Sequence, residues 1–128
     1  MAEELTVTLA AAYSDANDVT GQVEVNGLVI TLATAKLLHN VTSVLITQTA
    51  IDLGDIASLG FAVFVNLDVT NYIELQCATS GTIFAKLFPK GSTSGINFAV
   101  VHLGSGAQAP FAIANSATCL METFICPL

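Results

Sequence analysis

The stretch over residues 53–88 constrains the fold most, because it carries three strand patterns separated by two turns. The strand patterns cover residues 61–65, 72–77 and 82–88. The first is a short apolar run, and the second alternates polar and apolar residues with the period of a β-strand. The intervening residues are rich in Asn, Asp, Thr, Ser and Gly, which favour turns. We predict a three-stranded meander, with Ile73, Leu75 and Cys77 on one face.

Similar short patterns recur along the rest of the chain. They cover residues 5–9, 20–25, 28–33, 41–49, 96–103, 111–115 and 118–125. Asn26–Gly27 is a strong signal for a type I′ hairpin turn, and residues 35–40 form either one helical turn or an irregular link. The patterns predict an all-β fold, a single-domain antiparallel β-sandwich of about 8–10 strands, jelly-roll-like or Greek-key. We expect one domain over residues 1–128, with residues 1–4 as a short N-terminal arm.

The surface chemistry of such a domain is unusual. Charged residues make up 10% of the chain and hydrophobic residues 53%, whereas soluble domains have about 25% charged residues. The chain has no arginine, and its cationic side chains are Lys36, Lys86 and Lys90. Because so few charges cannot cover a monomer of this size, we predict a homo-oligomer or a place in a larger assembly.

The formal net charge of −7 argues against several partners. Nucleic-acid binding requires clustered Lys and Arg, and adhesion to an anionic membrane also requires basic residues. No apolar run has the length that crosses a bilayer, and the start, Met-Ala-Glu-Glu, is acidic where a signal peptide is basic. We therefore expect no nucleic acid and no membrane as partners, and a protein that stays in the cytosol until it assembles.

Metal and cofactor sites are not predicted. Cys77, Cys119 and Cys126 match no zinc spacing, and we interpret them as three buried thiols. Three aspartates could gather around calcium, namely Asp52, Asp55 and Asp68. They lack the regular spacing of a calcium loop, so capping of turns is the favoured interpretation.

Catalysis is not predicted either. The two histidines are His39, in the link, and His102, in an apolar strand where we expect it to be packed. No Gly-x-Ser-x-Gly nucleophile elbow is present, and Gly104-Ser105-Gly106 reads as a loop. We predict that the protein is not an enzyme.

A resemblance appears in the central stretch and near the end of the chain. It rests on Leu53-Gly54-Asp55-Ile56, Gly60, Asn66-Leu67-Asp68, Thr70-Asn71-Tyr72-Ile73-Glu74-Leu75, Phe84-Ala85-Lys86-Leu87, Ala112-Ile113-Ala114-Asn115 and Leu120-Met121-Glu122. These segments resemble a family of small tailed-phage virion structural proteins. The chain departs from the family pattern in residues 90–95, which are longer and lack an acid, and at Ile113, where a basic residue is frequent. The resemblance implies a component of a phage particle, on the head or on the tail.

The sequence and the resemblance together favour a capsid decoration or cement protein. It would bind the outer shell as an oligomer, with a trimer favoured, and its partners would be the major capsid protein or other virion proteins. The candidate assembly contacts are Leu5, Val7, Leu9, Phe124, Ile125 and Leu128. The alternative is a tail, connector or fibre-associated module. A carbohydrate-binding module is disfavoured, because the chain has no tryptophan and only Tyr13 and Tyr72 as tyrosines.

Overall fold

A computed structural model describes residues 4–14, 20–31, 37–54, 56, 60–77, 81–102 and 110–127. These parts of the chain are all-β. They contain no helix, and therefore no membrane-spanning helix. The strands are β1 (Glu4–Ser14), β2 (Thr20–Thr31), β3 (Leu38–Val44), β4 (Thr49–Ala50), β5 (Phe61–Asn66), β6 (Ile73–Gln76), β7 (Ile83–Leu87), β8 (Phe98–His102), β9 (Phe111–Ala114) and β10 (Cys119–Cys126). All their pairings are antiparallel, and the predicted β-sandwich class is confirmed.

Residues 1–35 form one compact unit and residues 36–128 form another. In the first unit, β1 and β2 pair along their length, from Glu4 opposite Thr31 to Ser14 opposite Thr20. The prediction of one domain over residues 1–128 stays a prediction. Residues 1–3 of the predicted arm lie outside the described residues, and Glu4 belongs to β1.

The predicted hairpin turn at Asn26–Gly27 is wrong, because β2 continues through it. The register shifts between Val7 and Leu9, so one residue of β1, Thr8, faces two residues of β2. Gly27 has a φ of 63°, and its N–H donates to Thr8 Oγ1 at 3.4 Å. A glycine with positive φ serves a β-bulge as well as a type I′ turn, so the local sequence signal is the same for both.

The second unit contains two four-stranded sheets. Sheet B has the order β3-β10-β5-β8, and sheet C has the order β4-β9-β6-β7. The pairs are nested along the chain: β3 pairs with β10, β4 with β9, β5 with β8, and β6 with β7. The chain therefore crosses repeatedly from one sheet to the other, and its crossings form the loops at the ends of the sandwich.

The core lies between the two sheets. Its largest fully buried hydrophobic side chains are Phe64, Ile73, Leu75, Leu87, Met121, Ile125 and Val44. In β10 the odd-numbered residues from Cys119 to Ile125 are buried, and the residues between them face outward. This alternation places one apolar stripe per strand in the core, and each large aliphatic or aromatic side chain contributes about 1.5–3 kcal/mol by leaving water.

The predicted meander is only partly correct. β6 and β7 pair as a hairpin, but β5 lies in the other sheet between β10 and β8. A chain that crosses between sheets and a chain that turns back in one sheet use the same turn residues, so the local pattern does not distinguish them. The register of β6 with β7 also shifts between Leu75 and Gln76, where β7 contains one extra residue, Phe84. Gln76 is buried, and Cys77, just beyond the end of β6, is exposed. The prediction that Cys77 shares the buried face of Ile73 and Leu75 is therefore wrong.

Two further strand boundaries differ from the prediction. Residues 38–40, assigned to a link, belong to β3, and the predicted strand over residues 41–49 ends at Val44. The chain then leaves sheet B and starts β4 in sheet C at Thr49. Residues 35 and 36 of the predicted link lie outside the described residues.

Candidate functional site: the loop end of the sandwich

Four loops meet at one end of the sandwich, which we call the loop end. They are residues 45–48, 67–72, 88–97 and 115–118, and each connects a strand of one sheet to a strand of the other. Backbone hydrogen bonds join three of them: Lys90 N donates to Asp68 O at 2.7 Å, and Asn115 N donates to Tyr72 O at 3.2 Å. The loop over residues 45–48 is bonded to the end of β9, where Ala114 N donates to Leu45 O at 2.9 Å. The loops therefore form one hydrogen-bonded surface rather than four separate turns.

The buried side chain of Asn66 lies at the centre of the loop end. Its Nδ2 lies 2.8 Å from Asn71 O, 3.2 Å from Leu87 O and 3.1 Å from Phe88 O. Its Oδ1 accepts the Asp68 N–H at 2.9 Å. An amide group offers two donor hydrogens and one acceptor oxygen, so one side chain satisfies backbone groups of two loops.

The backbone of Asn66 extends this network to the start of β8. Asn66 N donates to Asn97 O at 2.7 Å, and Asn97 Nδ2 donates to Asn66 O at 3.1 Å. The loop over residues 115–118 is also held by side chains: Tyr72 N donates to Asn115 Oδ1 at 3.0 Å, and Ser116 Oγ donates to Asn71 Oδ1 at 2.6 Å. These bonds fix the loop backbones relative to each other.

Asp68 stabilises the loop over residues 67–72. Its Oδ1 accepts the N–H groups of Asn71 at 2.6 Å and Thr70 at 2.7 Å. These two backbone donors, Asn71 first, lower the pKa of Asp68 below its ordinary value of 3.8. At neutral pH both N–H groups therefore donate to a charged carboxylate.

We expect the free energy of unfolding to depend on pH through Asp68. Because folding lowers the pKa of Asp68, its contribution is present above about pH 4 and is lost as the pH falls through the folded value. The Asp68→Asn variant should be less stable than the wild type by about 1 kcal/mol at pH 7, because bonds to a charged acceptor are the stronger ones. Urea denaturation from pH 7 to pH 2 should show this difference shrinking. A difference that stays constant with pH would contradict the assigned role.

Large aliphatic side chains project from the loop end. Val69 is 72% exposed, Ile96 62% and Ile46 56%, and Leu45 is also exposed. The four loops contain only two charged residues, Asp68 and Lys90. A hydrogen-bonded backbone that presents apolar tips with little charge is suited to contact with another protein surface.

The outer face of sheet C has a different character. Lys86 Nζ lies 3.6 Å from the centre of the Tyr72 ring and 5.5 Å from the centre of the Phe88 ring. Gln48 Nε2, in the loop before β4, donates to Gln76 Oε1 of β6 at 2.8 Å. Because the Lys86 ammonium covers one face of the Tyr72 ring, that face is not open as a platform for a sugar.

Five of the six predicted assembly contacts lie in the two strands β1 and β10. Leu5, Val7 and Leu9 lie in β1, where Leu9 is exposed and Val7 half-buried. Ile125 is fully buried in the core, so its side chain packs against its own chain. Phe124 is half-buried on the outer face of β10, with its ring centre 4.3 Å from that of His39. Leu128 lies outside the described residues.

The two histidines lie in the edge strands of sheet B, His39 in β3 and His102 in β8. His39 Nε2 lies 2.7 Å from Glu122 Oε1, on the outer face of sheet B. His102 is exposed at the end of β8, so the expectation of a packed strand residue is wrong. The sequence pattern could not show that β8 is an edge strand whose outer face meets solvent.

Of the three aspartates considered for calcium, the two that the structure describes cap turns. Asp52 Oδ1 accepts the Gly54 N–H at 2.8 Å, and Asp68 caps its own loop. Asp55 lies outside the described residues. Among the residues that the structure describes, no three His, Cys, Asp or Glu side chains are grouped as metal ligands.

The cysteines differ in their environments. Burial raises the pKa of the Cys126 thiol, and burial together with the Asp68 charge raises the pKa of the Cys119 thiol. Cys77 is exposed, so the prediction of a buried thiol is wrong there.

We therefore expect one of the three cysteines to react quickly in the folded protein. The reactive form is the thiolate, which burial suppresses at Cys119 and Cys126. Labelling with a thiol reagent at neutral pH should modify Cys77 first, with the other two reacting only after unfolding. Cys77→Ser should remove the fast reaction. Rapid native labelling at either buried site would contradict the fold of β10.

Comparisons of the chain with protein-family models, with curated proteins and with solved structures found no match in any of the three. The resemblance to tailed-phage virion proteins stays a prediction.

The site that sequence analysis missed is the Asn66 centre. One signal was present in the sequence: Ala62, Phe64 and Asn66 are alternate residues of one strand, so their side chains point to the same face. In the structure all three side chains are buried. An asparagine at an inward position directly before a turn indicates a side chain that bonds loop backbone. The exposed aliphatic tips carry no such signal, since exposure is set by how the loops fold.

Proposed function

We propose that this chain is a structural subunit of a phage particle, a decoration protein that binds the outer shell as an oligomer. The observation that carries the proposal is the loop end, where a hydrogen-bonded backbone supports Ile46, Val69 and Ile96 as exposed apolar tips. Contact surfaces of stable assemblies combine apolar centres with depleted charge. A surface already held in one conformation also loses little conformational entropy when it binds.

The strand order supports the same proposal. We infer a jelly roll from the nested pairing of β3 with β10, β4 with β9, β5 with β8 and β6 with β7. Jelly rolls occur in viral capsid proteins, and also in lectins and cupins, so the fold alone names no function. Together with the resemblance in residues 53–88 and near the end of the chain, it favours a particle component.

The mechanism of the proposed role is linkage. A protein that binds only the assembled shell stabilises it by mass action, and contacts to several shell subunits at once add avidity. The net charge of −7 and the three lysines disfavour adhesion to the packaged genome. The proposed partners are the major capsid protein and copies of this chain, in a particle assembled in the host cytoplasm. The proposed role is binding, with no reaction assigned.

The test is the copy number in purified particles of the phage that encodes the chain. Quantitative mass spectrometry should find the chain in a number that scales with the shell subunits. A small fixed number would instead indicate a tail, connector or fibre component. Absence from the particle would exclude both roles.

A second experiment examines shells that lack the chain. If it is a decoration protein, those shells should break at lower temperature or in low salt, and added wild-type protein should restore their resistance. Shells as robust as the wild type, with only adsorption to the host lost, would contradict the decoration role.

A further inference from the structure

Among the strands that the structure describes, β8 lies at an edge of sheet B. It pairs with β5 on one side, and none of the described strands pairs with it on the other. Natural proteins protect such edges with lysine, proline, bulges or very short strands, because unpaired backbone groups recruit other strands. The five residues Phe98–His102 include no lysine and no proline, and their register with β5 is regular.

Two of the three other edges of the two sheets, β4 and β7, carry the protection that β8 lacks. β4 has only two residues. β7 carries Lys86, and its register with β6 is irregular. β3 has a largely polar sequence, LHNVTSV, with His39 paired to Glu122. β3 and β8 both lack such protection, and β8 is the more apolar of the two.

The direction of two backbone hydrogen bonds identifies the free groups of β8. Asn66 N donates to Asn97 O at 2.7 Å, so Asn97 directs its backbone groups toward β5. Ile96 O accepts Phe88 N at 2.8 Å, on the opposite side. These directions alternate along a strand. The residues of β8 that direct both N–H and C=O away from β5 are therefore Phe98, Val100 and His102.

We propose that β8 pairs with β8 of a second copy of this chain, antiparallel, about a two-fold axis at Val100. In this register Val100 faces its counterpart, and Phe98 faces His102 at both ends. Each of these opposed pairs is of the type that exchanges both hydrogen bonds. The pairing therefore satisfies every free N–H and C=O of the three residues and joins the two copies of sheet B.

A second copy fits this edge for reasons of charge and surface. β8 contains no carboxylate and no lysine, so two copies meet here without opposed like charges, although each chain carries −7 overall. Val100 is exposed, and it lies beside Val63 of β5 on the outer face. Apolar side chains thus continue across the contact.

The pairing is independent of the proposed function. A two-fold contact of this kind closes as a dimer, since both copies use the same surface. It does not produce the trimer that the sequence analysis favours. The oligomeric state therefore distinguishes the two expectations.

The test combines sedimentation with amide hydrogen exchange over a range of concentrations. The wild type should form a dimer, in which the amides of Phe98, Val100 and His102 become protected only as the dimer forms. The amides of Ala99 and Val101 face β5 and should be protected in monomer and dimer alike. Val100→Pro removes an N–H that points away from β5, so it should spare the intrachain ladder and weaken dimerisation at least about tenfold.

The matched control is Val100→Thr, which keeps the N–H and the β-branched shape and should change the affinity by less than about threefold. If Val100→Pro does not fold, Val100→Lys takes its place, because it opposes two ammonium groups at the axis and should weaken the dimer at least about tenfold. A monomer at all concentrations or a trimer would overturn the proposal. So would a dimer in which the amides of Phe98, Val100 and His102 remain unprotected.

Discussion

The Asn66→Leu variant should lose about 3–5 kcal/mol of unfolding free energy, because it leaves several buried backbone groups without partners. Asn66 is fully buried, and its amide lies within hydrogen-bonding distance of three carbonyl oxygens and one N–H. Leucine has a similar size but offers no donor and no acceptor. Urea denaturation of the purified protein measures the loss, and a loss below about 1 kcal/mol would contradict the central position of Asn66.

Two further variants separate the donor role of Asn66 from its volume. Asn66→Asp keeps the shape but turns Nδ2 into an acceptor facing the carbonyls of Asn71, Leu87 and Phe88, so it should destabilise at least as much at neutral pH. Asn115→Ala is the matched control, since Asn115 is exposed and accepts one N–H. Its loss should not exceed about 1 kcal/mol. Equal losses for Asn66→Asp and Asn115→Ala would contradict the assignment.

The Gly95→Ala variant should lose about 1–3 kcal/mol, which is the usual cost of overpacking. A Cβ at residue 95 would lie 2.7 Å from Phe88 Cγ and closer still to Cδ2 of the same ring. These ring atoms cannot move away by rotation of a flexible chain end, so the loop over residues 88–97 must shift. Thermal or urea denaturation measures the effect.

The cause of that loss can be isolated with a double-mutant cycle. Phe88→Ala removes the ring, so adding Gly95→Ala in that background should cost less than about 0.5 kcal/mol. The result would assign the requirement for glycine to the packing of Phe88 on Gly95. The same cost with and without the ring would assign it to the backbone of the loop instead.

Strand alternation was readable from the sequence because it is a local property. The pattern around Ile73 and Leu75 placed both side chains on a buried face, and both are fully buried. The all-β class followed from many such patterns. What the pattern could not supply was the partner of each strand, which depends on residues far away in the chain.

The conformations of Cys77 and Gly27 were mispredicted because strand pairing, rather than the local sequence, determines them. Cys77 lies just beyond the end of β6, so the strand alternation that the sequence predicts for it does not continue that far. Gly27 occupies a bulge where the sequence predicted a turn. In both cases the local residues are compatible with two conformations, and long-range pairing selects one.

The loop end was even less accessible to sequence analysis. Its loops come from four separate parts of the chain, and they meet only because the strands cross between the two sheets. Asn66 had a signal in the strand alternation, but the exposure of Val69 and Ile96 is a consequence of that assembly. Ile125 is close to the end of the sequence, but β10 pairs with β3 and β5 in the middle of sheet B, and its side chain lies in the core rather than on a contact surface.

The central claim is that the loop end binds the shell, and a matched pair of variants tests it. Ile96→Asp places a charge on the loop end, whereas Ile83→Asp makes the same change at the start of β7, which is the end of that strand away from the loop over residues 88–97. The measurement is co-sedimentation of each purified variant with particles that lack the chain. Wild type and Ile83→Asp should bind alike, and Ile96→Asp should bind at least about tenfold more weakly. Equal binding by the two variants, or no binding by the wild type, would contradict the claim.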